Sequence, residues 1–135
     1  MDKKINLLRI VSLIAGILLL VYYTQRTISH IVFLFRVDFE IKFLLGFTTF
    51  IGIAAGILLI KASKKLKIGE KQPGLSLMQV ASILLFAIAV IPLFYTLTNL
   101  QYLDSASYII SQFRNILIPV LFPIFFFVFK NKLND

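Results

Sequence analysis

The sequence predicts an all-α membrane protein, a four-transmembrane-helix bundle with both termini on the cytoplasmic side (N-in/C-in). Three observations carry this expectation. The chain of 135 residues is 59% hydrophobic with a mean hydropathy of +0.94, above the apolar share of ordinary soluble domains. Its charges gather in a few stretches and leave long uncharged runs. Crossing roughly 30 Å of hydrocarbon takes about 20 helical residues, and the runs reach that length several times. The lysines flank these runs unevenly, as an orientation signal requires.

Span one is expected over residues 5–23. Lys3 and Lys4 precede an apolar stretch from Ile10 to Val21, the layout of a signal peptide. The exit Tyr22-Tyr23-Thr24-Gln25 offers no small-x-small cleavage site, so the stretch reads as a retained first span. An external segment, 24–40, follows. From its last residues into span two, Phe35, Val37, Phe39 and Ile41 alternate with Arg36, Asp38, Glu40 and Lys42. Alternation is a strand pattern, but Arg36 with Glu40 and Asp38 with Lys42 are opposite charges four apart, which suits a helix. The segment is too short for another span. The favoured reading is an interfacial segment leading helically into span two.

Span two is expected over 41–60, free of charge after Lys42. A cytoplasmic loop, 61–74, carries Lys61, Lys64, Lys65, Lys67 and Lys71, and Pro73-Gly74 is a turn signal that closes it. Span three covers 75–97, a second external segment covers 98–108, and span four covers 109–129, ahead of Lys130 and Lys132. The uncharged part of span four, residues 115–129, is only about 22 Å long at helical rise. A cap at Asp104-Ser105 would start the helix near Ala106 and draw Arg114 inside, from where its head would snorkel outward. Backbone amides in hydrocarbon must pair within their own segment, so the spans must be helices. The alternating segments of a membrane barrel are absent.

Orientation follows from the basic residues. One side collects Lys3, Lys4, Arg9, Lys61, Lys64, Lys65, Lys67, Lys71, Lys130 and Lys132; the other has Arg26, Arg36, Lys42 and Arg114. The first group is expected in the cytoplasm. All five tyrosines (Tyr22, Tyr23, Tyr95, Tyr102 and Tyr108) fall at or beyond the opposite ends of the spans. Tyrosine favours the headgroup level, which supports the same assignment.

Reactive groups are scarce. With no cysteine there is no disulfide, thiolate ligand or thiol nucleophile. His30 is the one histidine and has no second ligand at a metal spacing, so no metal or cofactor is expected. None of the hydrolase, metalloprotease or phosphate-loop motifs occurs, and the chain is not expected to be an enzyme. The net charge of +8 flanks apolar spans instead of covering a soluble face, so nucleic acid is not the expected partner. No Asp, Glu or His falls within a span. Small multidrug exporters share this size and helix number, but they rely on a membrane-embedded glutamate in the first helix, and none stands there. Proton coupling is therefore not expected.

The remaining candidates concern packing. Gly52 and Gly56 form a G-x-x-x-G strip in span two, and Ser12 and Gly16 offer matching small residues in span one. Small residues four apart let helices approach closely, with internal packing favoured over an oligomer face. Pro92, Pro119 and Pro123 each remove an amide donor and leave the carbonyls of Ile88, Asn115 and Pro119 without their usual partners; kinks satisfied by neighbouring hydroxyls such as Thr96 are the favoured reading. Arg114, Asp104, Glu40 and Arg36 form a candidate charge network at the external face, with solvated surface charge as the plainer reading. Arg9-Ile10-Val11-Ser12 and Gln79-Val80-Ala81-Ser82 hint at a duplicated hairpin, although apolar helices resemble one another by chance.

These features point to a protein whose partners are the lipid bilayer and another membrane protein or a second copy of itself. The leading expectation is a non-enzymatic accessory protein acting through helix–helix contacts. The first alternative is a small oligomeric channel or transporter subunit lined by Thr48, Thr49, Asn115 and proline-freed carbonyls. The second is an immunity-type protein against a membrane-active toxin.

Overall fold

The computed structural model describes residues 3–34, 39–98 and 106–133. These form four helices in order: α1 (Lys3–Leu34), α2 (Phe39–Lys67), α3 (Lys71–Thr98) and α4 (Ala106–Leu133). Each contains a stretch long and apolar enough to cross a membrane: Lys3–Ile28, Phe47–Lys67, Lys71–Phe94 and Ile109–Asn131. Within the apolar middle of each stretch no more than 33% of the residues are buried within the protein, and many of the apolar side chains face outward. Ile14, Leu18 and Val21 on α1 and Ile110, Phe113 and Leu121 on α4 are among the exposed side chains. Burying such surface against lipid instead of water is favourable at about 25 cal/mol per Å².

Helices adjacent in sequence pack side by side, while α1 and α4 share only a narrow contact. One core runs through the molecule. Leu8 of α1, Leu59 and Leu66 of α2, Met78 and Leu85 of α3 and Phe126 of α4 are all fully or almost fully buried in it. On α2 the buried positions Ala55, Leu59, Ala62, Ser63 and Leu66 recur at helical spacing, which sets one face of that helix inward. Aromatic rings pack where α3 meets α4 and along α4 itself. Phe86 stacks on Phe127 with ring centroids 6.0 Å apart, and Phe122 stacks on Phe126 at the same separation.

The helices run further than the apolar spans alone indicate. α1 continues to Leu34, so Thr24–Leu34 extends α1 itself and does not form a segment belonging to span two. Polar groups there find partners without leaving the helix: the Thr27 hydroxyl donates to the Tyr23 carbonyl at 2.8 Å. Phe39 to Lys42 lie in α2 and are helical, not extended; residues 35–38, and with them Arg36 and Asp38, lie outside the described residues. α4 begins at Ala106, which places Arg114 two turns inside the helix, while the cap residues Asp104 and Ser105 also lie outside the described residues.

The connection between α2 and α3 is shorter than the expected loop and turns elsewhere. Only residues 68–70 are non-helical. Gly69 adopts φ 88°, a left-handed conformation that an L side chain takes only with strain. Its amide donates to the Leu66 carbonyl at 3.2 Å, and the Glu70 amide donates to the Lys65 carbonyl at 2.9 Å. This bond pair is a Schellman cap, which satisfies carbonyls at the end of α2. Lys65 and Glu70, the two residues it brings together, form an ion pair at 3.0 Å. Pro73 instead sits in the first turn of α3, where a missing amide leaves no intrahelical bond unmade. Gly74 is not a turn residue either. It lets α3 lie against α2: a methyl group there would come within 2.9 Å of the Leu66 side chain and 3.2 Å of the Ala62 carbonyl oxygen.

Candidate functional site

Among the described residues, three regions gather most of the groups with chemical character. The first is the seam between α1 and α2. Ser12 is fully buried and its hydroxyl donates to the Leu59 carbonyl at 2.8 Å. One turn on, Gly16 faces Gly56 so closely that a Cβ on Gly16 would lie 2.8 Å from the Gly56 carbonyl oxygen and 2.8 Å from Ile60. A Cβ on Gly56 would meet the Gly16 carbonyl oxygen at 3.0 Å and Leu20 at 3.1 Å. One turn further, Gly52 lies against the ring of Tyr23. The structure thus gathers Ser12, Gly16, Gly52 and Gly56 into one continuous contact inside the chain.

Tyr23 packs against the rest of the chain instead of standing on its surface. It is only 3% exposed, because the missing side chain of Gly52 leaves a slot that the ring fills. Its neighbour Tyr22 packs edge-on against it with centroids 5.0 Å apart. The side chains of Tyr95 and Tyr108, and all of Tyr102, lie outside the described ones.

The second region is the narrow contact between α1 and α4. The Asn115 side-chain oxygen accepts from the Tyr22 hydroxyl at 3.3 Å and from the Arg26 guanidinium at 3.2 Å. Two helices remote in sequence are joined here by polar groups. Just inside this junction, Pro119 and Pro123 are fully buried. Pro119 has no amide to offer the carbonyl of Asn115, so the residue that receives Tyr22 and Arg26 also lacks the usual donor to its backbone oxygen. Arg114, next to Asn115 in sequence, is exposed. Of its expected partners, Arg36 and Asp104 lie outside the described residues, and Glu40 is placed in α2 without a described side chain. Sequence reasoning named Asn115, Tyr22 and Arg26 separately but did not join them. The available signal was that each is a hydrogen-bonding group at the same end of its span.

The third region is the end where α1 and α3 begin and α2 and α4 finish. Exposed Lys3, Lys4, Lys61, Lys64, Lys67 and Lys71 gather there with the partly exposed Lys65 and Lys130. Lys130 donates to the Gln79 side chain at 3.4 Å and sits 6.0 Å from the Phe126 ring centroid, an arrangement in which a long apolar stem covers an aromatic while its charge reaches outward. Glu70 is the one described carboxylate side chain, and it is paired with Lys65. Just inside this end, Arg9 donates to the Asn6 side chain at 2.9 Å.

Chemically, the arrangement binds helices to one another and presents positive charge at one end. Among the described residues no group of His, Cys, Asp or Glu side chains could hold a metal ion. The chain matches no protein-family model, no curated protein and no solved structure.

Proposed function

We propose that the chain is a multi-pass protein of the cytoplasmic membrane whose termini and α2–α3 turn are cytoplasmic. In this reading it is a non-enzymatic accessory protein that acts through helix–helix contacts with another membrane protein or a second copy of itself. The observation that carries the reading is how the buried and half-buried polar groups are used. Ser12, Ser82, Tyr22 and Asn115 bond to the chain's own carbonyls or to one another, and no described carboxylate lies inside the bundle. Such an interior supports packing more than it supports acid–base chemistry or proton coupling.

The glycine strip of α2 is occupied by α1, so a partner would meet the outward apolar faces instead. A conducting path through one copy has less support, because Leu8, Leu59, Leu85 and Phe126 pack into one buried apolar cluster. Purification in a mild non-ionic detergent tests the proposal, with size measured by light scattering and bound proteins identified by mass. A stable dimer or a stoichiometric membrane partner is expected. A monomer that carries no partner at any expression level would refute it, and ion flux in liposomes containing the chain alone would favour the channel.

A further inference from the structure

We propose that the outward face of α2 is a binding site for an anionic phospholipid of the cytoplasmic leaflet, with Lys61 and Lys64 holding the phosphate. This rests on the membrane placement argued above and adds a ligand to it.

The face is continuous and changes chemistry along its length. Phe50, Ile57, Lys61 and Lys64 recur at steps of seven, four and three residues, which keeps them on one side of a helix. All four are exposed, Phe50 at 74% and Ile57 at 43%, while Leu59, Ala62, Ser63 and Leu66 turn the opposite face into the core. The apolar part, from Phe50 to Lys61, is about 16 Å long at helical rise. That is about half of a roughly 30 Å hydrocarbon core, the depth of one leaflet. An acyl chain laid along Phe50 and Ile57 would therefore place its headgroup at Lys61 and Lys64.

The charge on this face is not balanced from within. Lys61, Lys64 and Lys65 are like charges three and four apart, a mutually repulsive arrangement on one helix. Glu70 pairs with Lys65; among the described residues no carboxylate pairs with Lys61 or Lys64. A bound phosphate would relieve that repulsion, and the apolar run below it favours a lipid over a soluble anion.

Native mass spectrometry of the detergent-purified chain, titrated separately with phosphatidylglycerol and phosphatidylcholine, tests the proposal. Retention of phosphatidylglycerol is expected to be about tenfold tighter, and K61Q/K64Q is expected to reduce the preference to within about twofold, given the contribution of each lysine near an anionic surface. K61R/K64R should keep it. Equal retention of the two lipids by the wild type would overturn the site, as would an unchanged preference in a folded K61Q/K64Q protein. Displacement of the lipid by equimolar glycerol phosphate would overturn it too, by assigning the lysines to a soluble anion. Should the glutamine variant lose helicity, the wild-type preference must still weaken as salt screens the lysines; a salt-independent preference contradicts the proposal. A chain that stays dissolved without detergent would instead defeat the membrane placement itself, so the two failures are distinguishable.

Discussion

An alanine at position 16 would press its methyl group against backbone atoms of the facing helix, which cannot rotate away. An alanine at 56 meets less resistance, because its tightest neighbour is 3.0 Å away and Leu20 can adjust. Helix propensity favours alanine over glycine by up to about 1 kcal/mol, whereas overpacking costs about 1–3 kcal/mol. Gly16→Ala is therefore expected to destabilise the bundle by about 1–2 kcal/mol in a detergent unfolding titration, and Gly56→Ala by clearly less. Ser12→Ala removes a real hydrogen bond, but such bonds between membrane helices average only about 0.6 kcal/mol. It should cost less than Gly16→Ala. The reverse order would mean that close approach is not what holds α1 to α2. Size was readable from the sequence here, since small residues stood four apart on both helices. Tyr23 was not, because its burial depends on which α1 residue meets Gly52.

At the scale of elements, the two joints of the fold make opposite demands on the chain. The α2–α3 joint is local and depends on a backbone conformation. Gly69→Ala is expected to cost about 1 kcal/mol through the strained φ, while Pro73→Ala should be nearly neutral, because Pro73 withholds an amide that α3 does not use. Thermal melts of the two variants separate these cases; a Pro73→Ala effect larger than that of Gly69→Ala would return the turn to Pro73-Gly74. Losing the exposed Lys65–Glu70 pair should matter little by comparison. The α1–α4 joint is remote in sequence and polar. Asn115→Leu removes the acceptor for Tyr22 and Arg26 and is expected to destabilise by about 1.5 kcal/mol, at the low end for bonds to charged groups because Arg26 is partly solvated. An unaltered unfolding titration would show that this junction does not help to close the bundle.

Both joints show why the elements were easier to read than their connections. Long uncharged runs announce helices whatever their neighbours do. The ends of those helices are set by caps and by partners supplied from elsewhere. Beyond Tyr23, α1 carries polar side chains that find acceptors on the protein: the Thr27 hydroxyl donates to the Tyr23 carbonyl and the Arg26 guanidinium to the Asn115 amide oxygen. The second of these is unknowable until α4 is placed. Gly69 and Pro73-Gly74 are both plausible turns in a string of letters, and the Schellman bonds decide between them.

The whole molecule is a set of four helices long and apolar enough to cross a membrane, with many apolar side chains exposed and a collar of lysines at one end. That asymmetry is the basis of the orientation proposed above, and it is a property of the full chain, since each helix contributes lysine to the same end. Because the sequence has no cysteine, single introduced cysteines report position without background. The decisive measurement is labelling of intact cells with a membrane-impermeant maleimide, comparing His30→Cys, between the first two spans, with Ile68→Cys, in the α2–α3 turn. The account predicts labelling of His30→Cys in intact cells and of Ile68→Cys only after permeabilisation. Labelling of Ile68→Cys in intact cells, or identical behaviour at both positions, would contradict it.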